Sequence, residues 1–149
     1  MVESGKVRAV GVSNFTAGQV AALQTHLPFP LASVQPEFSP WHSAPVWDGV
    51  LDQAQALGAS VLAWSTLGGG RISLPGPVTA LIERKAQETG VAKAAAAYAW
   101  VLAHPARPIP IVGSQQPERI REAADAFKVE WTRAEWYEVL QASTGERLP

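Results

Sequence analysis

Residues 61–71, which read V-L-A-W-S-T-L-G-G-G-R, have the composition of an anion-binding loop at the end of a buried strand. The three glycines lack a Cβ, so their backbone N–H groups can approach an anion closely, and Arg71 adds a charge that pairs with phosphate. The same stretch also fits a mobile surface loop, and Trp64 fits either a core residue or a platform for a flat ring. The anion-binding interpretation is favoured if other predicted strands also end in residues that can bind a ligand.

Short apolar or β-branched runs at residues 6–13, 31–36, 61–64 and 108–114 predict four strands. Each predicted strand ends in polar residues or glycine. These tips are Ser13 with Asn14, Gln35, Trp64 with Ser65, and Gly113 with Ser114. In a parallel sheet all four tips lie at one edge, which is where ligands bind, so together they favour a binding site over four ordinary strand ends.

Proline, glycine and N-cap signals predict a helix after every strand. The predicted helices are residues 17–27 after the N-cap Thr16, 45–58, 78–89, 92–104, one beginning at Pro117, and one capped by Thr132 with Glu135 in the capping box. The resulting order β-α-β-α-β-α-α-β-α-α predicts a parallel sheet with right-handed crossovers. An open doubly wound sheet and part of a (β/α)₈ barrel both fit this order.

The composition indicates one soluble globular domain with no surface for nucleic acid or membranes. The chain has 149 residues, of which 47% are hydrophobic and 17% charged, and its net charge is −1. It has no cysteine, which excludes disulfides and cysteine-based zinc sites. There is no apolar run of about 18 residues or more, and residues 1–6 lack the apolar core of a signal peptide. We therefore expect a cytoplasmic protein.

Four motifs occur in a fixed order and spacing along the chain. They read G-K-V-R-A-V-G-V-S-N-F, V-Q-P-E-F-S-P, A-W-S-T-L-G-G-G-R and P-I-P-I-V-G-S-Q-Q-P-E-R-I. Together they resemble the C-terminal half of the aldo-keto reductase family, in a branch of bacterial oxidoreductases. The resemblance implies an α/β fold, a parallel (β/α)₈ TIM barrel of which this chain has only the last four βα units plus a C-terminal helix. Residues 1–149 would form this single partial barrel domain.

The same resemblance implies a nicotinamide dinucleotide as cofactor. Ser13, Asn14 and Gln35 would bind the carboxamide, and Trp64 would stack on the nicotinamide ring. Ser65, Leu67 and the glycines would hold the pyrophosphate, and Ser114, Arg119 and Glu122 would lie near the adenosine. The complete expected cofactor-binding set is Ser13, Asn14, Gln35, Trp64, Ser65, Thr66, Leu67, Gly68, Gly69, Gly70, Arg71, Gly113, Ser114, Arg119 and Glu122.

Three positions differ from the pattern that many family members share. Gly113 replaces a lysine, Ala123 replaces an asparagine that often contacts adenine, and Thr66 replaces a proline. Arg119 remains to pair with a 2′-phosphate. The resemblance therefore implies NADP, bound as NADPH, with a modest preference that leaves NAD possible.

The family's catalytic tyrosine, aspartate, lysine and histidine belong to the first four βα units, and no motif here matches them, so no catalytic residue is predicted. Tyr98 and Tyr137 are predicted to pack in helices. A complete barrel needs about 250 residues. The chain is therefore expected to be a gene fragment, the product of a misplaced start, or one half of a split enzyme.

Other site chemistries have little support in the sequence. His26, His42 and His104 lack metal-ligand spacing and are predicted to be loop or helix-end residues, so no metal is expected. Neither a G-x-S-x-G elbow nor a G-x-x-x-x-G-K-[ST] loop is present. Trp41 and Trp47 follow Gln35 and could line a substrate pocket.

Two functional hypotheses remain. The first is the cofactor-binding half of an NADP-linked reductase that acts on a small-molecule aldehyde or ketone. The second is a non-catalytic half-barrel that binds a nucleotide or assembles with another subunit. Under either hypothesis the expected macromolecular partner is the missing N-terminal half-barrel or a second copy of the chain.

Overall fold

The computed structural model describes residue 2 and residues 4–147, and its centre is one parallel sheet. The strands are β1 (Gly11–Ser13), β2 (Ser33–Gln35), β3 (Ser60–Ala63) and β4 (Ile109–Pro110). They pair in the order β1-β2-β3-β4, and every neighbouring pair is parallel. A strand order that follows the chain without reversal is that of a (β/α)₈ barrel, whereas a doubly wound sheet reverses its order at a switch point. The topology therefore favours four consecutive units of a barrel.

Outside residues 45–58, the helices lie where the capping and proline signals predict them. They are α1 (Ala17–Gln24), α2 (Val50–Leu57), α3 (Pro77–Thr89), α4 (Lys93–Leu102), α5 (Pro117–Ala123) and α6 (Arg133–Thr144), with 3₁₀ segments at Ala44–Val46, Gly68–Ser73 and Ala124–Lys128. Thr16 and Thr132 both cap their helices through a reciprocal capping box, with Gln19 and Glu135 respectively. Gly58 and Gly90 end α2 and α3 in the left-handed conformation.

The prediction of one continuous helix over residues 45–58 is wrong. A 3₁₀ turn at Ala44–Val46 is followed by a break, and α2 begins at Val50. Gly49 has φ 81°, which lies outside the helical region, and the Asp48 carboxylate accepts a hydrogen bond from the Val50 N–H at 2.9 Å. The Asp-Gly pair therefore ends one segment and starts the next.

Three of the four predicted strands are longer than the observed ones. The prediction over residues 6–13 is reduced to Gly11–Ser13, and the one over residues 108–114 to Ile109–Pro110. Proline has no N–H for a ladder hydrogen bond, and Pro108 and Pro110 stand in the second of these segments. Strand pairing there is confined to Ile109 and Pro110.

Two stacked tryptophans join the last helix to the core. The rings of Trp100 and Trp136 are parallel within 6° and 4.8 Å apart. Each indole N–H donates to the backbone carbonyl of the other residue, at 3.1 and 2.9 Å. Phe38, which is fully buried, packs on Trp100 with ring centroids 5.5 Å apart. These contacts fix α4 between the sheet and α6.

An ion pair between Lys85 and Glu135 links α3 to α6, and it predicts acid sensitivity. The Lys85 ammonium donates to both Glu135 oxygens at 2.9 Å. This bond is the main reason that the pKa of Glu135 falls from 4.5 to about 2, with burial opposing it and Thr132 assisting. A carboxyl group whose pKa is lowered by folding stabilises the protein above pH 4.5, and this contribution is lost as the pH falls towards 2.

We expect Lys85→Met to lower the free energy of unfolding at pH 7 by roughly 1–3 kcal/mol, because the carboxylate loses its charged partner. Urea unfolding from pH 7 to pH 2 measures the difference in free energy of unfolding between this variant and the parent. This difference should disappear in acid. As a control, Lys128→Met removes the exposed ion pair with Asp125 and should change stability by less than about 0.5 kcal/mol. A difference in free energy of unfolding that stays constant from pH 7 to pH 2 would show that the ion pair with Lys85 does not lower the pKa of Glu135.

Candidate functional site

A cavity of about 650 Å³ lies at the carboxyl ends of β3 and β4. It brings together two predicted segments that are some 45 residues apart in sequence, as the 3.3 Å bond from the Thr66 hydroxyl to the Ile111 carbonyl shows. From the loop after β3 the predicted residues Ser65, Thr66, Leu67, Gly69 and Gly70 line it. From the segment after β4 and the first turns of α5 the predicted residues Gly113, Ser114, Arg119 and Glu122 line it.

The predicted residues at the tips of β1, β2 and β3 form a second group, outside the lining of this cavity. The Ser13 hydroxyl and the Asn14 N–H both donate to the Gln35 carbonyl, at 3.2 and 3.1 Å. The Trp64 indole N–H donates to the Asn14 side-chain carbonyl at 2.9 Å. The structure thus brings together Ser13, Asn14, Gln35 and Trp64, and Trp64 directly precedes the first cavity residue, Ser65.

Two of the three non-glycine residues with positive φ among the described residues lie at these tips, and the third is Arg107. Asn14 has φ 58° and Ser65 has φ 54°, so both are non-glycine residues in the left-handed region. Asparagine tolerates this conformation better than serine does. Strained residues persist only where the surrounding structure holds them, and they cluster at ligand sites. Here the hydrogen bond between Asn14 and Trp64 helps to hold the strained pair in place.

The glycine segment has an open backbone that fits an extended anionic ligand such as a dinucleotide. Gly69 and Gly70 have φ values of 62° and 96°, which interrupt the 3₁₀ segment. A Cβ built at Gly70 or at Gly113 would meet no atom within 4 Å, so both glycines face open space. A ligand could therefore contact the main chain directly at both walls of the cavity.

Arg71 does not line the cavity, although it was predicted in the same loop. Its guanidinium donates to the Gly68 carbonyl at 2.8 Å and to the Trp41 carbonyl at 3.0 Å, and pairs with Glu37 at 3.4 Å. These contacts hold it beside Trp41, with which it lines a separate cavity of about 290 Å³. In contrast, no carboxylate within the described residues pairs with Arg119 in the cavity.

Three polar residues that line the cavity, Ser73, Lys93 and Tyr98, were not among the predicted site residues. Lys93, the first residue of α4, lines it and forms an ion pair with Glu83 at 2.7 Å. Tyr98 lines it while being only 5% exposed, and its packing against Ala126 and Val129 agrees with the predicted packing role. Burial raises the pKa of Tyr98, and a hydrogen bond with Thr66 lowers it by less, so the phenol is protonated at neutral pH. A basic residue at the start of a helix was the one available signal for Lys93.

Other predicted residues lie away from the cavity. The Trp41 indole N–H donates to the Thr79 hydroxyl at 3.2 Å, and Trp47 lines a separate cavity of about 770 Å³ with Trp131 and Trp136. Tyr137 is 40% exposed and stacks edge-on against Trp136, so it packs on the surface rather than in the core.

The histidines have structural positions. His26 follows α1, His42 closes a turn with Ser39, and His104 follows α4. The His104 Nδ1 accepts a hydrogen bond from the Ala106 N–H at 3.1 Å, and burial lowers its pKa. Among the described residues no group of three or more His, Cys, Asp or Glu could hold a metal ion. Over the same residues, no helix has the length and apolar character needed to span a membrane.

Comparison with known proteins decides the family. The model of the aldo/keto reductase family matches residues 1–143. The chain belongs to the aldo/keto reductase family. This aldo/keto reductase chain is 52% identical to a 6-dehydroglucose reductase of Novosphingobium aromaticivorans over 153 residues, which cover 99% of this chain and 50% of that protein. It is 43% identical to the oxidoreductase YdhF of Escherichia coli, over 99% of this chain and 51% of that protein.

Solved aldo-keto reductases confirm the fold. A thermostable aldo-keto reductase crystallised with the inhibitor epalrestat matches with a TM-score of 0.84 and 25% identity, over 93% of this chain and 49% of that one. A putative 2,5-diketo-D-gluconic acid reductase B matches with a TM-score of 0.82 and 24% identity, over 99% and 50%. The prediction of a partial (β/α)₈ barrel is therefore confirmed. The chain spans about half the length of the curated relatives that it matches.

Proposed function

We propose that this chain is the cofactor-binding half of an NAD(P)H-dependent aldo/keto reductase, which reduces aldehydes or ketones to alcohols. The observation that supports the proposal is the single cavity shared by the glycine segment and by the Ser114–Arg119 region, in a chain of this family. When bound, the nicotinamide dinucleotide would supply a hydride for the carbonyl carbon. The proton for the carbonyl oxygen would come from a tyrosine outside these residues.

The strand tips are proposed to bind and orient the nicotinamide end. Trp64 is half-buried and its indole N–H is already held by Asn14, so one ring orientation is favoured before any ligand binds. A rigid aromatic face binds a flat ring at small entropic cost. The side chains of Ser13, Asn14 and Gln35 offer the donors and acceptors that a carboxamide needs.

The cavity is proposed to bind the pyrophosphate and the adenosine. The glycine segment would approach the pyrophosphate through its open main chain, with Ser65 beside it. Arg119 is exposed and pairs with no carboxylate of the part of the chain that the structure describes, so its guanidinium is available to pair with a 2′-phosphate or to stack on adenine. We therefore propose NADPH as the preferred cofactor.

The relatives suggest which carbonyl to assay first. Two curated relatives, at 52% and 39% identity, are named 6-dehydroglucose reductase. We propose a small carbonyl compound as substrate, and 6-dehydroglucose is the first compound to test. We also propose that the chain assembles with a complementary half-barrel or with itself, because each matched relative is about twice as long.

Calorimetric titration of the chain with NADPH and with NADH tests the cofactor proposal. Arg119→Ala should weaken NADPH binding by roughly 1–3 kcal/mol, the range of a charge-assisted hydrogen bond, and change NADH binding little. Trp64→Ala should weaken both nucleotides by about 0.5–1.5 kcal/mol, because the stacking face is lost.

A matched control is available on the same helix. Arg121 is exposed, pairs with Glu118 at 3.7 Å, and does not line the cavity, so Arg121→Ala should bind both nucleotides like the parent. Equal weakening of NADPH and NADH by Arg119→Ala would assign Arg119 to the adenine instead of the phosphate. Binding that neither Trp64→Ala nor Arg119→Ala affects would contradict the proposed site.

A further inference from the structure

Lys93 is the second cation of the cavity, and it enters from a different wall than Arg119. Lys93 is the first residue of α4, whereas Arg119 belongs to α5. The helix that bears Lys93 is fixed by a fully buried face that includes Ala95, Ala96 and Trp100. Its backbone is therefore held in place, while the four-carbon stem of the lysine leaves the ammonium free to swing.

A protein carboxylate holds the Lys93 ammonium at present. Glu83, on α3, accepts from it at 2.7 Å. Glu83 does not line the cavity, and the side chains of Lys93 and Glu83 are 32% and 47% exposed. An ion pair this exposed contributes little stability, and a better anionic partner can displace it.

The charges around the cavity balance when no ligand is bound. Lys93 and Arg119 supply two positive charges, and Glu83 and Glu122 supply two negative ones. Both carboxylates are on exposed residues, so they can turn into solvent when an anion enters. A phosphate would then face two cations from two helices, in a concave site where their attraction is stronger than on open surface.

We propose that Lys93 is a cofactor-binding residue that binds a phosphate group of the dinucleotide, and that Glu83 competes with this phosphate for its ammonium. This rests on the proposed function, because the phosphate is that of the nicotinamide dinucleotide. Binding would exchange one ion pair, between Lys93 and Glu83, for another between Lys93 and the phosphate. Removing the Lys93 charge should therefore weaken binding of the dinucleotide, and removing the Glu83 charge should strengthen it.

Calorimetric titration of the 149-residue chain with NADPH and NADH tests the exchange. Lys93→Met should weaken NADPH binding by about 5- to 50-fold, since a charge-assisted contact is lost, and Lys93→Arg should keep it within about 3-fold. Glu83→Gln should strengthen NADPH binding by about 2- to 5-fold, the worth of an exposed ion pair. In the Lys93→Met background, Glu83→Gln should have no effect, because no competition remains.

NADH identifies the phosphate, since it has the pyrophosphate but lacks the 2′-phosphate. An effect of Lys93→Met on NADPH alone assigns Lys93 to the 2′-phosphate, and equal effects assign it to the pyrophosphate; both support the inference. A purely structural ion pair would make Lys93→Met and Glu83→Gln weaken binding alike, which would overturn it. Lys128→Met, which removes an exposed cation paired with Asp125 outside the cavity, is the matched charge control.

Failure of the inference differs from failure of the proposed function. If the parent chain binds NADPH and Lys93→Met binds it equally well, Lys93 has no role and the cofactor site stands. If the parent binds neither nucleotide, the cofactor proposal is wrong, and the inference falls with it.

Discussion

The purified 149-residue chain is expected to bind NADPH without oxidising it when aldehydes are added. In a concerted hydride transfer the carbonyl oxygen must receive a proton, and removing one member of a catalytic set typically lowers the rate by about 10⁴-fold or more. The Asn14–Trp64 group and the cavity are proposed to bind the cofactor, and among the described residues the one phenol that lines the cavity is the buried Tyr98. Loss of NADPH absorbance with a panel of aldehydes that includes 6-dehydroglucose should not exceed the blank.

Tyr98→Phe is the control for this expectation. The Tyr98 phenol is almost fully buried, it bonds to Thr66, and its raised pKa keeps it neutral, so a structural role predicts the same zero rate in the variant. Turnover by the parent that disappears in Tyr98→Phe would show that Tyr98 is the proton donor and that the packing interpretation is wrong. Turnover that survives in the variant would mean that another donor in this chain has been overlooked.

The parts of the site that sequence predicted are those that topology alone brings together. In a parallel sheet every strand ends at the same edge, so Ser13, Gln35 and Trp64 were expected to meet, and they do. The capping boxes at Thr16 and Thr132 are local as well, because a side chain bonds the backbone three residues away. Such contacts depend on short-range geometry that residue types specify.

The parts that sequence did not predict depend on contacts between distant segments. Arg71 lies in the predicted loop, but the Trp41 carbonyl and Glu37, 30 and 34 residues earlier, bind its guanidinium, and Arg71 does not line the cavity. Lys93 reaches the cavity because α4 packs beside α5, and residues of both helices line it. A one-dimensional pattern places a residue on an element, and the direction of a long side chain is decided by what that element packs against.

Self-association of the isolated chain is the second large effect that we expect. In the described sheet β1 and β4 each pair with a single neighbour, so each has a free edge. Beside β4 lies a groove of about 960 Å³ with exposed apolar side chains, among them Ile109 at 51%, Ile120 at 49% and Phe127 at 81% exposure. Apolar side chains grouped beside an open strand edge favour pairing with another chain. Sedimentation at increasing concentration should therefore show dimers or larger species.

Phe127→Glu should shift this equilibrium towards the monomer. Burial of one such side chain is worth about 1.5–3 kcal/mol, and a carboxylate in its place would have to be desolvated in the interface. Leu57→Glu is the matched control, because Leu57 is also apolar and 43% exposed but lies at the end of α2, away from the groove. A parent chain that stays monomeric at every concentration and unfolds in one sharp transition would contradict the open half-barrel.

One complementation experiment tests both the absence of NADPH oxidation by the isolated chain and its self-association. The half of the Novosphingobium reductase that this chain does not match should cover the groove beside β4 if the two pieces form a barrel, since the chains are 52% identical in the matched half. Adding it should replace self-association by a one-to-one complex and raise NADPH oxidation above the blank. Phe127→Glu should then weaken both the complex and the turnover, whereas Leu57→Glu should affect neither. Turnover without complex formation, or a complex that Phe127→Glu leaves intact, would show that the groove beside β4 is not where the barrel closes.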